Sequence, residues 1–263
     1  MSDILSMLWG RIWLIGGTGE SAKLANQLIE AGVPVVVTVT TESARSLYPA
    51  LTRSQVWIGR LTPETIRDFI QTHQIRKILD ASHPFAVEIS QLAIATATQL
   101  NLPYLRFERP SLRRESADPL IELDDLETLL AGEYLSDQRV LLTLGYRYLA
   151  QFQPWQPRAT LFARILPSIT ALTAAFAAGF SSDRLIALRP PVALELERAI
   201  WQHWQITTVV TKASGLAGGE QIKRQLAREM GVRLIVINRP SLQYPYQTHD
   251  LTLALEFCRS QEL

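Results

Sequence analysis

The sequence predicts an α/β fold of two doubly wound parallel-sheet domains with a cleft between them. Three observations support this prediction. Short apolar runs alternate with amphipathic helical patterns along almost the whole chain of 263 residues. Several of these runs are rich in valine and isoleucine, which is typical of strands buried on both faces. Glycine-rich turns stand between a strand pattern and a helix pattern at residues 16–19 and 215–219.

The N-terminal half contains five strand patterns and three helix patterns. The predicted strands are residues 11–15, 33–41, 56–59, 76–82 and 102–107. The predicted helices are residues 20–31, 62–73 and 86–100. Gly32 follows the first helix as a C-terminal glycine, and Thr62 and Pro63 suit the N-cap and first turn of the second. We expect a Rossmann-like cofactor-binding domain over residues 1–112.

The same alternation resumes after a charged, turn-rich stretch. We interpret residues 113–138 as a crossover between the domains. The predicted strands of the second half are residues 139–146, 160–167, 184–191, 206–214 and 232–240. The predicted helices are residues 169–179, 194–204 and 219–230, followed by a helical tail from Leu251. We expect a C-terminal α/β domain over residues 139–263.

Two segments of the chain resemble each other. Residues 80–112 and 211–242 each run from an Ala-Ser pair through a turn, a helix and a strand to Arg-Pro-Ser-Leu. The match requires a shift of two residues. It is compatible with two α/β units that use similar turn chemistry and with an ancient duplication. In doubly wound sheets, ligands bind beyond the carboxyl ends of the strands, where the glycine-rich turns fall.

Composition excludes several classes of function. The net charge of +1 indicates no general attraction to nucleic acid or membranes. The single cysteine, Cys258, excludes an internal disulfide and is consistent with a cytoplasmic location. The four histidines lack the spacing of a zinc site, so no metal is predicted. No apolar run reaches the length of a membrane span.

The first glycine-rich turn is the clearest candidate for a nucleotide site. Gly16, Gly17, Thr18, Gly19 and Glu20 join a strand to a helix. Glycine allows backbone N–H groups to approach a phosphate, and the helix N-terminus favours its negative charge. The alternative is a tight turn that only needs a positive φ. The full G-x-G-x-x-G spacing is absent.

The end of the second strand indicates which nicotinamide cofactor is preferred. An NAD site usually has an acidic residue there for the ribose hydroxyls. Here the strand ends in Thr40 and Thr41, with Ser43 and Arg45 close behind, and the nearest acid is Glu42. Hydroxyls with an arginine suit a 2′-phosphate. The pattern therefore favours NADPH, with NADH as the alternative.

Two further strand ends carry candidate groups. Ser82 and His83 lie in Asp-Ala-Ser-His-Pro-Phe-Ala at residues 80–86, where the histidine would donate a proton or bind an anion. The alternative is an N-cap at Ser82 with His83 merely exposed. Lys212 and Gly215 begin the second glycine-rich turn, and a lysine beside backbone donors makes an anion site. The alternative is a flexible loop with a solvated lysine.

Arginines recur at the predicted strand ends. A shared edge of several arginines would suit a polyanionic ligand through bidentate carboxylate pairs. The alternative is a set of solvated surface charges. The arginines are Arg106, Arg109, Arg147, Arg189 and Arg239.

Taken together, these motifs resemble the precorrin-6A reductase family of cobalamin biosynthesis. IGGTGESAKLA, DASHPFA, TLGYR and TKASGLAGGEQIK followed by LIVINRP have the family's order and spacing over residues 11–240. DASHPFA and TKASG-x-x-GG are the specific parts. One departure is the segment Pro190, Pro191 and Val192, where the family usually has glycine-proline-phenylalanine.

The resemblance implies hydride transfer from NADPH, or from NADH, to a double bond of a tetrapyrrole with many carboxylates. The two ligands would meet in the cleft between the domains. The implied cofactor-binding residues are Gly16, Gly17, Thr18, Gly19, Glu20, Thr40, Thr41, Ser43, Arg45, Ser214 and Gly215. The implied substrate-binding residues are Ser82, His83, Arg106, Arg147 and Lys212. His83 is a candidate proton donor, and Lys212 is a second catalytic candidate.

Two other functions are alternatives on the sequence. A short-chain dehydrogenase or epimerase needs Tyr-x-x-x-Lys, and no tyrosine here has a lysine four residues later. A non-catalytic NAD(P) sensor stays open, although it gives DASHPFA and the second turn no shared purpose. The sequence leaves open the choice between metal-free and cobalt-containing precorrin-6A and the oligomeric state.

Overall fold

The computed structural model describes residues 10–112 and 120–260. The chain forms two compact units. The first unit combines Met1–Pro110 with Ser241–Leu263, and the second unit is Ser111–Pro240. No helix in the described ranges is long and apolar enough to cross a membrane.

The first unit contains a parallel sheet of six strands. The strands are β1 (Arg11–Ile15), β2 (Val35–Val39), β3 (Val56–Ile58), β4 (Ile75–Asp80), β5 (Tyr104–Phe107) and β12 (Gln247–Thr248). Their order is β12-β5-β4-β1-β2-β3, and every pairing is parallel. This is the 3-2-1-4-5-6 order of doubly wound dinucleotide-binding sheets. The direction of winding reverses between β1 and β4, which makes this the expected ligand edge.

Helices cover both faces of the first sheet. They are α1 (Gly19–Glu30), α2 (Glu42–Arg45), α3 (Ile66–Thr72), α4 (Val87–Leu100) and α9 (Leu251–Arg259). On one face, Leu24 and Leu28 of α1 pack with Val37 of β2. On the other face, Trp13 of β1 packs edge-on against Phe69 of α3. Burial of the β-branched runs on both faces explains why they read as continuous apolar stretches.

The second unit contains another parallel sheet of six strands. The strands are β6 (Leu120–Leu123), β7 (Arg139–Leu142), β8 (Thr160–Ile165), β9 (Leu185–Ala187), β10 (Thr208–Lys212) and β11 (Arg233–Ile237). The order is β6-β11-β10-β7-β8-β9, again with parallel pairings. The helices are α5 (Leu126–Ala131), α6 (Ile169–Ala177), α7 (Leu194–His203) and α8 (Glu220–Met230). The predicted α/β class with two doubly wound parallel sheets is confirmed.

The two sheets share one strand order. Strands β7, β8 and β9 repeat the arrangement of β1, β2 and β3, and β10 and β11 repeat that of β4 and β5. The sixth strand is β12 in the first sheet and β6 in the second. The two similar sequence segments are therefore β4-α4-β5 and β10-α8-β11, which occupy equivalent places. Lys212 ends β10 just as Asp80 ends β4.

The boundaries of the second unit differ from the prediction. Part of the expected crossover is structured, since β6 and α5 lie within residues 113–138 and β6 pairs with β11. Residues 113–119 lie outside the described ranges. The tail that we assigned to the C-terminal domain belongs instead to the first unit. There β12 pairs with β5, and Ala254 of α9 is fully buried in the core that contains Leu28.

A buried lysine fixes the end of this tail. Lys77 of β4 donates through Nζ to the backbone oxygens of Phe257 and Ser260, at 3.0 and 2.8 Å. These carbonyls lie at the C-terminal end of α9, where a cation also favours the helix dipole. This pairing acts together with the burial of Ala254 and Cys258 to hold the helix on the first sheet.

Several predicted strands extend too far at their carboxyl ends. The predicted strands at 33–41, 139–146 and 184–191 end at Val39, Leu142 and Ala187. Thr143 and Leu188 each still donate one backbone hydrogen bond of 2.9 Å to the neighbouring strand. A 3₁₀ helix at Tyr146–Trp155 then follows β7. Apolar residues continue beyond β7 at Leu144 and beyond β9 at Leu188, so the sequence pattern does not mark where the pairing stops.

The burial of Cys258 gives a chemical prediction. Its side chain is buried in the first unit, and burial raises the pKa of the thiol to about 12. At pH 8 about one thiol in 10,000 would be a thiolate, the form that reacts. We expect Ellman's reagent to label the folded protein at least about 1,000-fold more slowly than the protein in denaturant. Fast labelling of the folded chain would contradict this placement.

Candidate functional site

The first glycine-rich turn is held by a hydrogen-bonded cap. Thr18 is the N-cap of α1, and its hydroxyl accepts from the Ser21 N–H at 3.1 Å. Ser21 Oγ accepts in return from the Thr18 N–H at 3.0 Å. The Thr18 hydroxyl also donates to the Ala81 carbonyl at 2.9 Å, just beyond β4. The turn is therefore fixed to both strands at the point where the winding reverses.

Glycine stands at positions 16 and 17 of this turn for different physical reasons. A Cβ at Gly16 would lie 2.4 Å from the Tyr48 hydroxyl and 2.7 Å from a methyl group of Val37. Gly17 has a φ of +99°, and its N–H donates to the Tyr48 hydroxyl at 2.7 Å. We predicted this amide as a phosphate donor. The structure corrects that role, because an internal tyrosine already accepts its hydrogen.

Gly19 combines open space with an ordinary backbone conformation, whereas Gly17, which also has no atom near a built Cβ, has a positive φ. A Cβ built there would meet no atom within 4 Å, and Gly19 is the first residue of the twelve-residue helix α1. Among the residues that the structure describes, no acceptor pairs with the N–H groups of Gly19 or Glu20. Unpaired N–H groups at a helix start attract anions. This is the part of the turn that suits a phosphate.

The residues after β2 form a small exposed cluster. Thr41 caps α2 by accepting the Ala44 N–H at 3.2 Å, and Thr40 and Ser43 are exposed beside it. Arg45 lies 3.4 Å from a carboxylate oxygen of Glu42. The structure brings together the predicted hydroxyls and arginine at the end of β2. Arg53 also approaches Glu42, at 4.0 Å, so two arginines offset this acid.

A buried carboxylate organises the end of β4. Asp80 is fully buried, and one of its oxygens accepts from Arg106 at 2.8 Å and from the Ser82 N–H at 3.0 Å. The other oxygen accepts from the hydroxyls of Ser90 at 2.6 Å and Tyr104 at 2.7 Å. Four donors match the acceptor capacity of an ionised carboxylate. Asp80 therefore fixes the backbone that leads to His83.

Arg106 has an internal role rather than the predicted role in substrate binding. Its side chain is fully buried on β5, where it pairs with Asp80 and with Glu108, whose carboxylate accepts from Nε at 2.7 Å. It also donates to the Ser82 hydroxyl at 2.9 Å. Two carboxylates already offset its charge, so a substrate carboxylate has little to gain from it. The arginine holds Ser82 in place.

His83 is half-buried and has a defined ring orientation. Its Nδ1 accepts the Phe85 N–H at 3.2 Å, which leaves Nε2 to hold the hydrogen of the neutral ring. The alternative N-cap at Ser82 is wrong, because α4 begins at Val87 with Ala86 as its N-cap. Ser82 instead serves the network around Asp80. In this tautomer the ring is able to donate a hydrogen bond through Nε2.

The switch region of the first unit is compact. A cavity of about 10 Å³, enough for one water molecule, separates the turn from the ends of β4 and β5. Glu20 of α1 and Arg109 form an ion pair of 2.8 Å at its edge. The lining residues are Thr18, Glu20, Ala81, Ser82, Pro84, Arg106, Phe107 and Arg109. Predicted residues from three strand ends therefore converge.

The second glycine-rich turn is closed on itself. The Gly215 N–H donates to a carboxylate oxygen of Glu220 at 2.8 Å, and the other oxygen of Glu220 accepts from Arg224 at 2.9 Å. This corrects the prediction that Gly215 donates to the cofactor, because a buried carboxylate holds that amide. A Cβ at Gly218 would lie 2.0 Å from the Ser214 hydroxyl oxygen. Ser214 is buried and packs on the turn.

Lys212 stands at the end of β10 with an aromatic partner. Its Nζ lies 4.3 Å from the centre of the Tyr148 ring, within the range of a cation–π contact. Burial, with a smaller contribution from the charge of Arg147, lowers the pKa of Lys212 to about 8. Arg147 itself is exposed. The second unit therefore brings together two predicted cations, one of which, Lys212, has a pKa only slightly above physiological pH.

The other predicted arginines are less informative. Arg189 is exposed beyond β9, and Arg239 donates through Nε to the Ala213 carbonyl at 2.9 Å. No group of three metal-ligating side chains occurs within residues 10–112 and 120–260.

Sequence reasoning missed three residues of the site. Asp80 opens the motif that we singled out, but its charge gave no indication of four internal donors. Glu220 directly follows the paired glycines, which was a usable signal for a helix start with an acidic first turn. Tyr48 gave no signal, because it lies 31 residues from the amide that it accepts.

Comparison with known proteins places these features in a family context. The family model described as "Precorrin-6x reductase CbiJ/CobK" matches residues 11–259. A cobalt-precorrin-6A reductase from Synechocystis sp. is 49% identical, and the match covers 94% of this chain and 95% of the relative. A second cobalt-precorrin-6A reductase, from Priestia megaterium, is 34% identical, and the match covers 89% of this chain and 92% of the relative. The solved structure of a CobK precorrin-6A reductase matches with a TM-score of 0.76 at 23% identity, over 94% and 95% of the two chains.

Proposed function

Because this chain belongs to the precorrin-6x reductase CbiJ/CobK family, we propose that it reduces cobalt-precorrin-6A to the 6B form with NADPH. It is an oxidoreductase of cobalamin biosynthesis. The cobalt form of the substrate is chosen because relatives at 49% and 34% identity have that name. The metal-free form is the second candidate, since a Rhodococcus erythropolis relative at 30% identity is named precorrin-6A reductase.

The open start of α1 is the observation that supports a nicotinamide cofactor. Space around Gly19 admits a phosphate, and the N–H groups of Gly19 and Glu20 point from the helix start at the switch between β1 and β4. The residues therefore fit a dinucleotide. When bound, the reduced nicotinamide supplies the hydride that the macrocycle double bond accepts, while a proton is added beside it.

The cluster after β2 supports NADPH over NADH. Thr40, Thr41 and Ser43 offer hydroxyls, and Arg45 offers a cation. In an NAD site, a carboxylate here would bind the ribose hydroxyls. The acid that is present, Glu42, already lies near Arg45 and Arg53. We propose that these arginines bind a 2′-phosphate.

The cations of the second unit support a substrate with many carboxylates. Lys212 and Arg147 would bind acetate or propionate side chains of the tetrapyrrole. A lysine with a pKa of about 8 also holds a proton that is easily released. Lys212 therefore has two proposed roles, one in binding and one in proton supply. His83 is the other proposed proton donor.

The pH dependence of kcat/KM separates the roles of Lys212, which is half-buried, and Lys223, which is buried. Lys212 is protonated below its pKa of about 8, so we expect kcat/KM to fall as the pH rises through 8. Lys212→Met should lower kcat/KM and remove this limb. Lys223 is the matched control, because burial lowers its pKa to about 8 too, while its Nζ contacts the Gly219 carbonyl at 3.2 Å. A limb that survives in Lys212→Met and disappears in Lys223→Met would contradict the assignment.

His83 is tested by its removal. His83→Ala should lower kcat about 100-fold, the usual contribution of a proton donor, with the Kd for NADPH unchanged within about twofold. His83→Gln keeps an acceptor for the Phe85 N–H and serves as the control for loop structure. Near-normal turnover in His83→Ala would remove His83 from proton transfer.

Isotope transfer tests the proposed reaction itself. NADPH deuterated at the reactive carbon is incubated with the protein and cobalt-precorrin-6A, and the product is analysed by mass spectrometry. We expect one deuterium in the macrocycle from only one of the two epimeric cofactors. A product without deuterium from either epimer would exclude direct hydride transfer. Tight NADPH binding with no product would favour the sensor function.

A further inference from the structure

We propose that Tyr48 is a positioning residue that sets the shape of the cofactor turn and links it to the segment that selects the cofactor. This inference rests on the proposed function, because it concerns the affinity for NADPH. Tyr48 lies between α2 and β3, only three residues beyond Arg45. Its hydroxyl reaches the turn at Gly17 and Ser21.

Tyr48 combines a buried ring with two hydrogen bonds from its hydroxyl to the turn. Its side chain is 2% exposed and packs in the apolar core of the first unit. The hydroxyl lies 2.7 Å from the Gly17 nitrogen and 2.6 Å from Ser21 Oγ. A Cβ at Gly16 would lie only 2.4 Å from the same hydroxyl. The absence of a side chain at Gly16 is therefore what admits the tyrosine.

The donors and acceptors fix the direction of these bonds. Gly17 donates its N–H, so the tyrosine oxygen is the acceptor there. Ser21 has a single hydroxyl hydrogen, which the Thr18 carbonyl accepts at 2.7 Å. Tyr48 must then donate to Ser21 Oγ. The result is a continuous chain of hydrogen bonds from Gly17 through Tyr48 and Ser21 to Thr18.

This chain controls the part of the turn that faces a phosphate. Ser21 and Thr18 form the capping box that starts α1, and Gly19 is the first residue of that helix. A change at the tyrosine hydroxyl therefore alters the cap and the direction of the Gly19 N–H. The same ring anchors the segment that carries Thr41, Ser43 and Arg45. One residue thus relates the phosphate position to the ribose position.

A titration of the full chain with NADPH tests the proposal. Tyr48→Phe keeps the ring and removes only the hydroxyl, and Ser21→Ala removes its partner. We expect the Kd for NADPH in Tyr48→Phe to rise about fivefold to tenfold, the effect of one lost hydrogen bond, with kcat at saturating NADPH within about twofold. The double variant should bind about as weakly as the weaker single variant, because both act through one chain.

Leu51→Val is the matched control for packing. Leu51 is buried in the same core and its side chain has no polar atom, so its variant is expected to lower thermal stability without a change in the Kd. A Kd for Tyr48→Phe within about twofold of the unmodified chain would overturn the positioning role alone. Equal losses of affinity in Leu51→Val and Tyr48→Phe would overturn it too. No binding of NADPH or NADH by the unmodified chain would overturn the proposed function and this inference together.

Discussion

Replacement of Asp80 by alanine is expected to lower the free energy of unfolding of the first unit by about 3–5 kcal/mol. The carboxylate is fully buried and accepts from four donors. Its removal leaves the fully buried Arg106 with only Glu108 as a charged partner, and leaves two hydroxyls without their acceptor. A buried charge that loses its partner is among the costliest defects in a folded protein.

Urea denaturation followed by circular dichroism measures this effect. Asp183→Ala is the matched control, because Asp183 is an exposed aspartate whose arginine partner lies 4.0 Å away. We expect no shift of the unfolding midpoint in that variant. A loss below about 1 kcal/mol in Asp80→Ala would show that the network does not hold the end of β4.

Replacement of Gly19 by alanine is expected to raise the Kd for NADPH about 100-fold with no loss of thermal stability. The methyl group has space in the structure, since no atom lies within 4 Å of its position. Alanine also favours the first turn of a helix over glycine. The methyl group would occupy the space through which a phosphate approaches the helix start.

Gly16→Ala provides the contrast within the same turn. Its Cβ would collide with the Tyr48 hydroxyl, so this variant should lose both thermal stability and NADPH affinity. Isothermal titration and thermal melts of the two variants separate the two glycine roles. NADPH binding by Gly19→Ala within about twofold of the unmodified chain would contradict a phosphate at the start of α1.

The strands of the sheets were predictable because each is marked by a short stretch of neighbouring residues. Runs such as VVVTV at β2 signal burial on both faces, and the Thr18 and Gly19 turn signals the start of a helix. The partner of the tail was not predictable. Leu251 begins a helical pattern, but nothing in that pattern distinguishes a core in the first unit from one in the second. The tail packs in the first unit through Ala254 and Cys258, and Lys77 bonds its end across 180 residues of the chain.

The candidate site was predictable in position but not in hydrogen bonding. Parallel strands put their carboxyl ends at one edge, so Gly19, Ser82 and Arg106 were expected to converge. The sequence does not reveal which backbone N–H groups already donate to acceptors within the protein. Gly17 donates to Tyr48, and Gly215 donates to Glu220. Arg106 showed its charge in the sequence, whereas its two carboxylate partners appear only in the folded chain.

We propose above all that this chain transfers hydride from a reduced nicotinamide to a precorrin. The direct measurement is the fall in near-ultraviolet absorbance of NADPH or NADH with the purified protein and cobalt-precorrin-6A, precorrin-6A or no tetrapyrrole. We predict oxidation of the cofactor that requires the tetrapyrrole and is fastest with NADPH and the cobalt form. No oxidation of either cofactor with either intact tetrapyrrole would contradict the account.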